Sequence, residues 1–114
     1  MTTTQRRIAN LTQHSATAEQ VEAGVFDLSP STRERLIKAL TIESASDDLD
    51  RKVRTIVDIA LGLEIRYAMI GGAPALMGPL ELDLLRAGIA PLFAFSVRES
   101  LETTDPEGNV RKVS

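Results

Sequence analysis

Apolar residues along this chain fall into short runs bounded by polar turn residues, alternating with stretches spaced for helices. Arg7-Ile-Ala-Asn-Leu-Thr12 reads as a first strand. Thr17 followed three residues later by Gln20 is a capping-box pattern, and Gly24 suits the stop of the helix it opens. Val25-Phe-Asp-Leu28 predicts a very short second strand. Ser29-Pro30 places an N-cap residue before a first-turn proline, opening a helix through Arg33–Leu40 that stops near Glu43. Ser44-Ala-Ser-Asp47 is a second capping signature, and Asp47 and Asp48 suit the positive end of the next helix. There Leu49, Val53, Ile56, Val57, Ala60 and Leu61 recur at helical spacing up to Gly62.

Glu64-Ile-Arg-Tyr-Ala-Met-Ile70 predicts a strand entering the turn Gly71-Gly72-Ala73-Pro74. A helix over 75–87 follows, with Leu76, Met77, Leu80, Leu84 and Leu85 on one face and Gly88 after its end. Leu92-Phe-Ala-Phe-Ser96 is the next strand, so the segment is a strand–helix–strand unit whose strands run parallel. Beyond it, Val97–Thr104 and Asn109–Val113 flank Asp105-Pro-Glu-Gly108, favourable type I turn chemistry for a hairpin. The expected fold is α/β and Rossmann-like: an open, mostly parallel sheet with helices on both faces and a C-terminal β-hairpin arm. One domain spans 1–114, with 1–6 a flexible lead-in and 97–114 the arm.

Composition narrows the function classes. At 114 residues there is room for one core, and 4% aromatics (Phe26, Tyr67, Phe93, Phe95) make that core aliphatic and argue against base stacking on a sheet. With no cysteine and a single histidine, thiol chemistry and a histidine-rich zinc site are excluded, and no metal or cofactor is expected. A net charge of −3 gives no basic footprint for double-stranded DNA, although local donors can still hold one small anion. No apolar run is long enough for a membrane span and Met1–Arg7 lacks the apolar core of a signal peptide, so the expected location is cytoplasmic.

Candidate chemistry lies just past strand ends, where open α/β sheets hold ligands. Asn10, Thr12 and Gln13 offer hydrogen bonds there, and His14 can take or give a proton. The alternative is a polar turn whose side chains cap backbone. Gly71 and Gly72 precede a helix N-terminus that favours an anion, against the alternative of a tight turn. Ser96, Arg98 and Ser100 share one face of a straight strand, and Arg98 suits a phosphate, against the alternative of a solvated strand. The acidic and basic residues of 33–38 and 47–54 read as solvent faces and helix ends.

Asn10-Leu-Thr-Gln-His-Ser-Ala-Thr-Ala-Glu-Gln20 resembles the opening of small stand-alone CRISPR-associated ring nucleases of CARF-like fold, and of phage and mobile-element proteins that begin with Asn-Leu-Thr-Gln-His. In this chain Gln13 separates Thr12 from His14, and Leu11 stands where an aromatic is common. The resemblance implies a homodimer that binds cyclic oligoadenylate, the tetra-adenylate favoured. It makes Asn10, Thr12 and His14 ligand-contacting, with His14 a general acid in metal-independent cleavage by the ribose 2′-hydroxyl. Arg98 is then the candidate for stabilising the charged phosphorane. Two other functions share these residues: sequestering a nucleotide messenger without cleavage, and a protein-interaction adaptor using the 97–113 arm. For the dimer, the small core suggests an apolar patch including Leu76, Leu80 or Phe95.

Overall fold

The computed structural model describes residues 7–44 and 46–93. The lead-in 1–6, the hairpin arm 97–114, and with it Arg98 and Ser100, lie outside the described residues, as do Phe95 and Ser96.

Ile8, Ala9, Asn10 and Leu11 are all buried, the run expected of a strand covered on both faces, and they form β1 (Ile8–Leu11). The chain continues through α1 (Ala18–Glu22), β2 (Val25–Phe26), α2 (Pro30–Leu40), α3 (Leu49–Gly62), β3 (Tyr67–Ile70), α4 (Pro74–Arg86) and β4 (Ala90–Phe93). The strands make one sheet in the order β2-β1-β3-β4, and every pair is parallel. β1 lies beside β3 in the register Ile8↔Tyr67 to Leu11↔Ile70, and β3 beside β4 from Tyr67↔Ala90 to Ile70↔Phe93. Pro91 cannot donate to a ladder, and it sits on β4, the edge strand among the described residues, where that is tolerated. The expected α/β class, parallel sheet and helices on both faces are what the chain adopts.

Alternation divides the sheet. Ala9, Leu11, Ala68 and Ile70 join Leu36, Leu40, Ile56, Leu76, Leu80 and Leu84 in the main core, so α2, α3 and α4 cover that face. Ile8, Val25 and Met69 face the other way, packed by Ala16 and Ala23 at the two ends of α1, and by Tyr67 and Leu92. Leu76 and Leu80 are wholly buried within the chain's own core, which removes them from any dimer patch. Leu85 also departs from expectation: with Leu82 it lies on the exposed side of α4, because Leu76, Met77, Leu80 and Leu84 already fill the inward stripe.

Helix ends differ from the sequence reading where distant groups intervene. α2 stops at Leu40 rather than near Glu43, since Thr41 turns extended and Lys52 of α3 donates to the carbonyls of Thr41 (2.7 Å) and Lys38 (3.3 Å). Asp48 caps α3 by accepting from the Arg51 amide at 3.2 Å. Asp47 does something else: it accepts from the Glu43 amide at 2.7 Å and closes the α2–α3 link. That bond, foremost, holds its carboxyl below the usual aspartate range.

Gly62 is the last residue of α3, and the left-handed position falls on Glu64, with φ 56°. The strand expected from Glu64 therefore starts only at Tyr67. A side chain in that conformation costs ~1 kcal/mol that glycine avoids. Glu64→Gly is accordingly expected to stabilise the fold by about 0.5–1 kcal/mol in urea denaturation, a gain that would be missing if this turn relaxed freely. Among the described residues, no helix is long and apolar enough to cross a membrane.

Candidate functional site

The sheet order creates a switch point. From β1 the chain leaves toward α1 on one face, and from β3 it leaves toward α4 on the other, so the two exits diverge above neighbouring strand ends. Such a divergence opens a crevice at the carboxyl edge of a parallel sheet. Here it holds an open cavity of about 570 Å³, within the range of small-ligand sites.

One wall is the loop after β1, and Asn10 shapes it. Its Nδ2 donates to the His14 carbonyl (2.7 Å) and to Asp27 Oδ1 (2.8 Å), while its Oδ1 accepts from the Thr12 amide (3.0 Å) and hydroxyl (2.7 Å). Both donors and both acceptor sites of this amide are thereby used. Asn10 is 3% exposed and Thr12 8%, so ordering the loop, rather than touching a ligand, is what their polar atoms do. The His14 amide donates to Thr12 Oγ1 at 3.3 Å, Asp27 Oδ1 also accepts from the Ala16 amide at 3.1 Å, and Arg33 Nη2 donates to the Gln13 carbonyl at 3.1 Å. With the backbone pinned in this way, the exposed side chains of Gln13 and His14 are left to line the cavity.

The opposite wall is Gly71-Gly72-Ala73 at the start of α4. Gly72 has φ 153°, and a Cβ on it would stand 3.4 Å from Met77 Cε, so the conformation rather than the space demands glycine. A Cβ on Gly71 would meet Thr12 Cγ2 at 3.6 Å, showing how closely the two exits approach. Ala73 gives no side-chain cap to α4 and Pro74 brings no N–H, while the amides of Leu76 and Met77 both bond to the Ala73 carbonyl. The amides of Gly72 and Ala75 have no partner among the described residues, which leaves donors at the positive end of a 13-residue helix.

Between these walls the half-buried Ile42 supplies an apolar surface, with the buried Leu40 and Met69 beneath it. Among the described residues no aspartate or glutamate lines the cavity, and two of its threonine hydroxyls are turned inward: Thr12 toward Asn10 Oδ1 and Thr41 toward the Ile37 carbonyl at 2.8 Å. An apolar floor with main-chain donors on its rim, and no carboxylate there among the described residues, suits a flat organic group carrying an anion. Among the described residues no cluster of three or more His, Cys, Asp or Glu could hold a metal ion.

Of the residues singled out by sequence, the fold brings Asn10, Thr12, Gln13, His14, Gly71 and Gly72 together at this one edge. Ser96, Arg98 and Ser100 belong to the undescribed stretch that follows β4. The sequence offered no role for Asp27 and placed Arg33 on a solvent face, yet the two fix the loop from β2's exit and from α2. Asp27 carried a usable signal, since it follows a strand that ends at the same edge as β1.

Neither curated proteins nor solved structures give a match to this chain. A family model, described as the uncharacterized protein MJ1673 family, matches residues 6–114. With nearly its whole length covered, this chain belongs to the MJ1673 family.

Proposed function

We propose that this chain binds a nucleotide-class anion in the β1–β3 crevice, with cyclic oligoadenylate, and the tetra-adenylate first, as the ligand. The observation that carries the reading is the convergence of His14, the Gly71–Gly72 turn and the α4 N-terminus on one cavity that no carboxylate lines among the described residues. The negative phosphates meet donors and a helix dipole, and a base meets Ile42 above the buried Leu40 and Met69. The choice of a cyclic oligoadenylate rests on the likeness of the Asn10–Gln20 segment to ring nucleases. A symmetric ring presents equivalent halves, so the active form is a homodimer that joins two such cavities about a two-fold axis.

Cleavage needs one group beyond binding. The 2′-hydroxyl oxygen attacks the adjacent phosphorus and releases its proton to solvent. The bond to the 5′-oxygen breaks, and His14 gives that oxygen its proton, leaving a 2′,3′-cyclic phosphate. His14 is the one titratable side chain lining the cavity among the described residues, and its imidazole has no partner there. A second reading, capture without cleavage, uses the same cavity and draws on there being no second acid or base beside His14 among the described residues.

Incubation with labelled cyclic tetra-adenylate separates these readings. Retention at micromolar protein together with linear products is expected; retention of intact ring supports capture. A ring that is neither retained nor altered rejects both.

A further inference from the structure

Gln20 is the third residue of α1 and one half of a capping box with Thr17. Its Oε1 accepts from the Thr17 amide at 2.9 Å, and Thr17 Oγ1 accepts from the Gln20 amide at 3.1 Å. A main-chain N–H can only donate, so the carboxamide oxygen is the atom facing Thr17 and the nitrogen is the atom left over. That Nε2 has no partner among the described residues, and Gln20 lines the crevice from the α1 side, across from Gly71–Ala73. The capping bond has already ordered the side chain, so a contact made by Nε2 forfeits little further rotamer freedom.

We infer that Gln20 determines specificity at this site: with its oxygen held by the capping box, its Nε2 is a fixed donor to a phosphate oxygen of the bound nucleotide. This rests on the reading of the crevice as a nucleotide site. A phosphodiester oxygen only accepts, which matches a group that here can only donate.

Gln20→Glu tests the assignment with the fold preserved. One carboxylate oxygen still accepts from the Thr17 amide, glutamate being a regular capping-box partner, and a negative charge near a helix start is favourable. The atom facing the crevice changes from a donor to an anionic oxygen. Calorimetric titration with cyclic tetra-adenylate is expected to show affinity reduced by at least ~10-fold, with the melting temperature unchanged or raised. In the unsubstituted protein, the Gln20 side-chain amide resonances are expected to shift during the same titration. A folded Gln20→Glu protein that binds within about twofold of the original, or amide resonances that stay in place while the ring binds, overturns the assignment. An unsubstituted protein that fails to bind the ring overturns the site itself, and the role of Gln20 with it.

Discussion

Asn10→Ala is expected to destabilise the protein by about 3 kcal/mol and to disorganise the loop that carries His14. Asn10 is buried, and its amide holds four partners: the His14 carbonyl, the Asp27 carboxylate, and the amide and hydroxyl of Thr12. Hydrogen bonds to charged groups contribute ~1.5–3 kcal/mol, and the Thr12 groups left behind near the core lose a further ~1–3 kcal/mol where water cannot replace the missing amide. For a domain of about 100 residues this corresponds to a melting temperature lower by roughly 15 °C. Urea denaturation measures the first quantity and a thermal melt the second. A loss below about 1 kcal/mol would mean that water takes over the hub, and that Asn10 does not govern the loop.

Asn10→Asp separates charge from shape. It sets a carboxyl where Nδ2 now stands 2.8 Å from Asp27 Oδ1, so the pair keeps a proton in the folded state and its folded pKa is raised above the unfolded value. Such a variant has its full stability below about pH 4, the unfolded range, and loses stability as pH rises through the raised folded pKa. Indifference to pH between 4 and 7 would place the two groups further apart than the structure does.

His14→Ala is expected to slow ring cleavage by at least ~10²-fold while leaving affinity and stability close to those of the original protein. The reason lies in what His14 contributes to the loop. Its carbonyl accepts from Asn10 and its amide donates to Thr12, so the structural bonds are main-chain bonds that alanine retains. Among the described residues the exposed imidazole has no partner, so on the proposed reading it can serve the leaving 5′-oxygen. Single-turnover product formation gives the rate, and equilibrium retention of the labelled ring gives the affinity. Equal cleavage by His14→Ala would remove His14 from the chemistry. A loss of affinity matching the loss of rate would make it a binding contact instead.

What could be read from the chain alone was local. The Thr17–Gln20 capping box, Pro30 at a helix start, and the spacing from Leu49 to Ala60 depend on neighbours within a turn or two, and each element formed where those signals stand. The parallel sheet also followed, because a strand, a crossover helix and another strand leave few alternatives.

Tertiary structure decided whatever depended on partners far along the chain. In the sequence Asn10 stands open to a ligand contact or a backbone cap; in the fold Asp27, seventeen positions on, takes one of its two donors. Lys52 ended α2 from across the α2–α3 packing, and the inward stripe of α4 closed without Leu85. The crevice needed the sheet order: β1 between β2 and β3 places His14 and Gly71 on facing walls. Helical period and caps are set by short-range sterics and hydrogen bonds that the sequence by itself determines. Strand order and the spending of a buried amide depend on which distant groups arrive beside it, and only the packed fold brings them there.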